Sequence, residues 1–473
     1  MQSHYHSPWK FWSHWLFGLG VVVLTPACLL AADSVWKVGL AQVKITPEKP
    51  VFQAGYASRD HPFEKVETDL YAKALVLEDQ AGQRAVLVTS DLIGFTAAVA
   101  EPICERIRAK TGLSRDRILL SAAHVHTGPV LSLKAEPHGK IGSADAERTA
   151  EYTRQLVDKI AALVIDATAH LQPARLSWGS GVVDFVMNRR EFTPNGVILG
   201  VNPRGLADRT VPVLRIDTPD GKPLAVLFGA AVHNTTLGQN NYEICGDYAG
   251  FAQTFVQERL PDVQAMFILG CAGDANPYPR GNMQLAREHG ATLGREVCRV
   301  LGTKLRPIHG SLKVAFDQVE LPLQKLSRGE LEKLAQTKRD TVPEMAKQIL
   351  AKLDRGEQLS DHYRCPFTVW QLGRDLTLVG LSGEVVVDYV PLLEKALGPN
   401  RLWLAAYSND VYGYLPSARV LQEGGYETRG LYAGGLGFFS PKAQDVVVET
   451  VRALAQKAGR ELPTESGRLE LKK

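Results

Sequence analysis

The sequence predicts an α/β fold, with mixed sheets flanked by helices in one large domain. Three observations predict it. The chain has 473 residues, 45% apolar and 22% charged, which allows a sizeable core and argues against disorder. Three stretches share one pattern of apolar strand, helix and apolar strand: AVLVTSD with RILLSAAHVH, LAVLFGAAVH with AMFILGCAGDANP, and LTLVGLSGE with LWLAAYSND. Each stretch leaves polar residues just past its strands: Asp91 with His124 and His126, His233 with Asp274, and Glu384 with Asp410. In open α/β sheets, ligands collect beyond the carboxyl ends of the strands.

Taken in order, the chain begins like a secretory signal. Met1 to His14 carries Lys10 and no acid, Trp15 to Leu24 is apolar, and after Pro26 the segment ends in Ala31-Ala32. Cleavage after Ala32 is expected, giving a secreted or periplasmic product, since the apolar run is short for a membrane span. The domain is expected over residues 33–460, with a polar tail over 461–473. Val35 to Ile45 reads as a first strand, and Gln53 to Glu64 as a polar loop. Leu70 to Glu78 and Arg84 to Thr89 read as a hairpin across Asp79 to Gln83. Ala100 to Lys110 has helical spacing.

Arg117 to Leu120 reads as a buried strand leading into SAAHVHTGP, Ser121 to Pro129. His124 and His126 stand at i and i+2, so a continuing strand would point both imidazoles to one side, half of a metal site. Gly128-Pro129 then marks a turn. Between Val182 and Arg215, Asn188 and Arg189 read as loop residues and Pro203-Arg204-Gly205 as a turn. Helices are expected from about Tyr248 to Leu260, Val385 to Leu397 and Ala443 to Lys457. Ser327 to Leu353 reads as a solvated surface helix or helical pair.

The formal charge of +3 and the lack of a basic block exclude nucleic acid as a partner. Beyond the signal, Cys104, Cys245, Cys271, Cys298 and Cys365 are odd in number and show no CxxC spacing, so neither a disulfide framework nor a thiolate zinc site is indicated. There is no HExxH, no GxSxG and no phosphate loop with its Lys-Ser/Thr pair. The side chains suited to a catalytic zinc are His124, His126, His233 and Glu384, because zinc takes imidazole nitrogen and carboxylate oxygen and keeps a position for water.

Several blocks resemble the catalytic domain of the neutral (alkaline, non-lysosomal) ceramidases. They are AGYASR, ETDLYAKALVL, SAAHVHTGP, MNRRE, VHNTT with GDYAGFA, CAGDANP, SGE, and SNDVYGYLP with GGYE, in order from about Val38 to Tyr426. The resemblance implies a zinc amidase that cleaves the N-acyl bond of ceramide through a metal-activated water. It implies His124, His233, Glu384 and Tyr414 as zinc ligands. It implies His126 as a substrate-side residue near the reacting carbonyl, with Tyr426 and Arg189 as further site residues. A lipid or other small-molecule substrate follows, and peripheral membrane contact is compatible with it; the oligomeric state is left open.

Two departures accompany the resemblance. Asn276 stands where the family carries a serine, so a hydroxyl nucleophile is not expected. The family's larger members add a C-terminal β-sandwich, which is not expected here. The alternatives are a zinc hydrolase of the same scaffold acting on a non-lipid amide or ester, and a binding protein that kept the metal scaffold without turnover.

Overall fold

Tyr71 to Ser90 shows how the sequence builds the core. Both arms of this hairpin bury side chains on both faces, as strands covered above and below must. The computed structural model describes residues 36–337, 342–433 and 435–463. The signal segment through Ala32 and the tail from residue 464 lie outside the described residues.

The first part of the chain forms β1 (Trp36–Lys44), β2 (Lys65–Val66), β3 (Tyr71–Glu78), β4 (Arg84–Ser90), α1 (Ala97–Thr111), β5 (Ile118–Ala122) and α2 (Ser143–Ala169). Next come β6 (Gln172–Val182), β7 (Val186–Thr193), β8 (Gly196–Asn202), β9 (Thr210–Asp217), β10 (Pro223–Ala230), β11 (Glu243–Ile244), α3 (Asp247–Arg259), β12 (Gln264–Leu269), β13 (Ala275–Pro277) and α4 (Met283–Leu301). The rest forms β14 (Arg306–Ile308), β15 (Leu312–Pro322), α5 (Arg328–Leu334), α6 (Val342–Asp354), β16 (His362–Leu372), β17 (Leu376–Gly380), β18 (Glu384–Val385), α7 (Tyr389–Leu397), β19 (Leu402–Ala405), β20 (Tyr414–Leu415), α8 (Ala418–Glu423) and α9 (Ala443–Lys457).

The largest sheet runs β12-β10-β9-β6-β1-β3-β4-β5, with β14 added on β6, and a second runs β15-β16-β17-β19. The pairs β4–β5, β10–β12 and β17–β19 are parallel, while their neighbours are antiparallel. Each parallel pair brackets a helix, as the three repeated stretches predict. Period-two alternation divides each strand between two cores. Ala74, Val76, Val86 and Val88 pack with Ile103, Ile107 and Ile160 of α1 and α2. Their alternates Leu75, Leu77 and Leu87 pack against Trp370, Leu372 and Leu378 of the second sheet. In the same way Val226 and Phe228 share a cluster with Tyr248, Val256 and Leu293 of α3 and α4. With α9 on the far side of β15 and β16, the layers are helix, sheet, sheet, helix.

The large sheet curls until its two ends approach. Lys73 on β3 donates from Nζ to Ala265 O on β12 at 2.7 Å, and Gln264 Nε2 donates to Ala74 O at 3.0 Å. The segment after β19 stitches both ends: Ala406 N donates to Leu269 O at 2.9 Å and Asn409 N to Leu120 O at 2.7 Å. This curl brings together residues that follow strands at opposite ends of the sheet order.

Four local expectations change. Strand β5 ends at Ala122, and His124 takes a left-handed backbone with φ of 58°, so strand alternation does not set its direction. Asn188 and Arg189 lie on β7 rather than in a loop. The helix after Glu384 begins at Tyr389, because Glu384 and Val385 pair with Tyr414 and Leu415. The charged stretch from Ser327 forms the expected helical pair, the first helix with a capping box, but it is not wholly solvated, since it buries Leu331, Met345 and Ile349 against Phe438.

Candidate metal centre

Three polar atoms from three distant segments converge at the heart of the site. Glu384 Oε2 lies 3.1 Å from His124 Nε2 and 3.0 Å from His233 Nε2. All three side chains are almost fully buried. His124 follows β5, His233 follows β10 and Glu384 follows β17 through a short turn, so each stands beyond the carboxyl end of a parallel strand. Asn234 ties two of the segments together: its Nδ2 donates to Ala123 O at 2.6 Å, and His126 N donates to Asn234 O at 3.3 Å.

The tautomers follow from the carbonyls behind the rings. His124 Nδ1 is 2.6 Å from Ile93 O and His233 Nδ1 is 2.7 Å from Ala272 O. A carbonyl only accepts, so each Nδ1 carries the proton. Burial, helped by nearby Arg189, pushes His233 down to about 4, so at neutral pH its Nε2 presents a bare lone pair. Burial raises the Glu384 carboxyl, but the two imidazoles outweigh it and hold it well below the usual carboxylate range. With each Nδ1 turned to a carbonyl, both Nε2 atoms are aimed at the Glu384 carboxylate, and His124 Nε2 is buried without a hydrogen-bond partner among the described residues. Nitrogen and oxygen donors converging on one buried point in this way can be served by a single cation. The donor set fits a metal ion of the zinc type, for which two imidazoles and a carboxylate are ordinary ligands.

His126 belongs to the same cluster, since the donor atoms of His124, His126 and His233 all lie within 4.8 Å of one another. Both its ring nitrogens are buried without a partner among the described residues. Burial, with His124 and His233 beside it, holds it well below the usual histidine range, so it is neutral. Above it, the loop from Gln53 is clamped by Arg59, whose Nη1 donates to Ala54 O and to His126 O, each at 2.6 Å.

A second polar group flanks the first. Arg189 donates from Nε to Glu427 Oε1 at 2.9 Å, from Nη2 to the Tyr414 hydroxyl at 3.0 Å and from Nη1 to Asn276 Oδ1 at 3.3 Å. Its guanidinium lies 5.5 Å from the ring centres of both Tyr414 and Tyr426. Asn276 also accepts from Thr235 Oγ1 at 3.1 Å. Tyr432 donates its hydroxyl hydrogen to Glu384 Oε1. A cavity of about 540 Å³ opens over the cluster, lined by His124, His126, Glu384, Tyr414, Tyr426 and Tyr432 on its polar side. Phe52, Ile93, Val130, Leu131, Ile141 and Val411 form its apolar wall.

The seven site residues expected from the sequence thus fall in one region, in two connected groups. His124, His126, His233 and Glu384 form the buried cluster. Tyr414 stands beside Glu384 in the β18–β20 register, but its hydroxyl is held by Arg189, with Tyr426 next to it. The three aspartates that follow strands do other work. Asp91 accepts from Tyr71 N and Gln253, Asp274 from Val387 N and Asn188, and Asp410 from Ala97 N and Tyr363. Tyr432, Tyr407 and Glu427 escaped the sequence reading. Tyr407 packs 4.5 Å from the His124 ring with φ of 52°, and nothing in its local sequence signals that strain. The five cysteines among the described residues are free thiols.

A family model described as neutral/alkaline non-lysosomal ceramidase, N-terminal, matches residues 36–317. Neutral ceramidase A of Dictyostelium discoideum is 25% identical over 273 residues, covering 53% of this chain and 37% of that protein. The neutral ceramidase of Pseudomonas aeruginosa is 29% identical over 230 residues, covering 47% and 33%. The alignments therefore span about a third of these relatives' length. The crystal structure of neutral ceramidase from Pseudomonas aeruginosa superposes with a TM-score of 0.69 at 22% identity, over 92% of this chain and 76% of that one, which shows a shared fold.

Proposed function

Since the chain belongs to the neutral/alkaline non-lysosomal ceramidase family, we propose that it is a zinc-dependent amidase that hydrolyses the N-acyl bond of ceramide or a related N-acyl lipid. The observation that carries the reading is the approach of His124 Nε2 and His233 Nε2 to Glu384 Oε2, at 3.1 and 3.0 Å, under a half-apolar cavity. These three side chains would hold the ion, with Tyr414 the fourth ligand. When bound, zinc supplies a Lewis acid that polarises the scissile carbonyl and makes water nucleophilic near neutral pH.

The chain's own residues do the rest. Neutral His126 has one N–H and one lone pair free for substrate, so it can donate to the oxygen that gains charge as the carbonyl is attacked. Tyr426 lines the same cavity, and its hydroxyl would serve as a second donor. The leaving amine needs a proton and the attacking water releases one; the free lone pair of His126 can take it from the water and hand it on to the amine. Arg189 keeps Tyr414 in place and is itself fixed by Glu427 and Asn276. Asn276 has its carbonyl oxygen engaged by Arg189 and Thr235, and hydrolysis by water needs no hydroxyl there. The apolar wall from Phe52 to Val411 suits an acyl chain and excludes bulk water.

Lys140 and Arg429 also line the cavity, and these cations favour a second reading: a non-lipid amide or ester with a polar leaving group. A panel of N-acyl substrates separates the two. The first expects cleavage of ceramide and N-acyl lipids, the second cleavage only of short or polar substrates. Elemental analysis should give one zinc per chain. His233→Ala and Glu384→Ala should each abolish both zinc retention and hydrolysis; full zinc occupancy in either variant removes that residue from the ligand set. Stoichiometric zinc without turnover on any substrate would leave only a binding protein. We also propose that the segment ending at Ala32 is a cleaved secretory signal, so mass spectrometry of exported protein should find Asp33 at its N-terminus.

A further inference from the structure

Each donor atom in the buried cluster is aimed by a second contact. Ile93 O orients the His124 ring and Ala272 O orients the His233 ring. Glu384 receives the corresponding contact from a side chain. Its Oε1 accepts the Tyr432 hydroxyl, which leaves Oε2 facing the two imidazoles. A carboxylate accepts and does not donate, so the direction of that bond is fixed.

Tyr432 is an unusual residue to spend on this contact. It lines the cavity, and the residue is 41% exposed, so burial of its ring does not explain its place. Its backbone is nonetheless tightly held. Tyr432 N and Ala433 N donate to Tyr412 O at 2.9 and 3.1 Å, and Leu431 bridges Gly413. The two segments run so close that a β-carbon at Gly413 would stand 2.8 Å from Gly430 O. The clamp ties Tyr432 to the strand that carries Tyr414 and aims its hydroxyl inward.

We propose that Tyr432 is a positioning residue for Glu384: by occupying one carboxylate oxygen it presents the other, singly, to the metal. The inference rests on the zinc reading given above. It goes beyond that reading by dividing the work of the two Glu384 oxygens and by assigning this tyrosine to the metal site rather than to substrate. Partners that orient a metal ligand typically contribute 10–100-fold in metal affinity.

The test is competition for zinc with a chromophoric chelator, in wild type, Tyr432→Phe and Tyr432→Ala. Tyr432→Phe keeps the ring and removes only the hydroxyl. It should weaken zinc binding by about 10–100-fold, while the melting temperature of chelator-stripped protein stays that of stripped wild type. Tyr432→Ala should weaken zinc no further than Tyr432→Phe. Unchanged zinc affinity in Tyr432→Phe, with wild type binding zinc normally, overturns the proposal. So does a loss seen in Tyr432→Ala alone, which would mean that the ring only packs. Wild type that retains no zinc overturns the metal reading itself, and this inference with it.

Discussion

At position 55 an added β-carbon would stand 2.2 Å from His126 Nδ1, and the backbone there has φ of +88°. Both facts require glycine, and both serve His126. Gly55→Ala should force the imidazole aside and cost roughly 1–2 kcal/mol in backbone strain. Activity should fall by at least about tenfold, the effect of losing one positioned donor or proton carrier, while zinc content stays that of wild type. Steady-state kinetics beside elemental analysis check it. An unchanged kcat would remove His126 from the reaction. The histidine pair was legible because it stands in the block SAAHVHTGP, whose resemblance to the family is specific, while two imidazoles past a strand end are by themselves an ordinary polar rim. Tyr432 was not, because a tyrosine in a glycine-rich stretch carries no spacing that distinguishes a metal-site partner from a packing ring.

Helix α1 illustrates the scale of the element. Its N-cap Thr96 makes no side-chain cap, and its first turn contains no acid. Asp410, 313 residues away in sequence, supplies the missing acceptor: its Oδ1 takes Ala97 N at 2.9 Å and its Oδ2 takes the Tyr363 hydroxyl at 2.8 Å. Burial raises its carboxyl from 3.8 to about 6. The folded state therefore holds this proton more tightly than the unfolded chain. Between about pH 4 and pH 6 its contribution to stability falls as pH rises, by at most roughly 3 kcal/mol at 1.36 kcal/mol per unit. Asp410→Asn keeps the bond from Ala97 N, reverses the Tyr363 bond so that Nδ2 donates to the hydroxyl oxygen, and removes the titration. Urea unfolding at pH 4 and pH 7 should show wild type losing stability relative to this variant across that window; parallel curves would contradict the assignment. In the sequence Asp410, like Asp91 and Asp274, reads only as a polar residue past a strand end, where ligands collect. The same position is where helix N-termini need acceptors, and pattern alone does not separate the two uses.

For the whole molecule, the decisive feature is the curl of the large sheet. Lys73, on β3 two strands in from one end, reaches the strand at the other end, donating to Ala265 O of β12 at 2.7 Å and to Gln253 Oε1 of α3 at 2.9 Å while almost fully buried. Burial lowers its ammonium to about 8. Lys73→Met should remove the donor from Ala265 O and from Gln253 Oε1 and cost roughly 2–3 kcal/mol, the usual loss for hydrogen bonds to a buried charge. Because the same closure brings His124 to His233, zinc should also leave the variant faster. Thermal unfolding and metal release in chelator measure the two effects, and a stable variant that loses zinc at the wild-type rate would separate closure from site. The sequence by itself determined the strands, the helices and the three strand–helix–strand units, because alternation and helical spacing are local properties of neighbouring residues. It also placed histidines and a glutamate beyond the strands. Only the tertiary structure decided which of those polar groups meet. That choice depends on how far a twisted sheet curls and which carbonyl stands behind each ring, and these are set by packing between residues hundreds of positions apart.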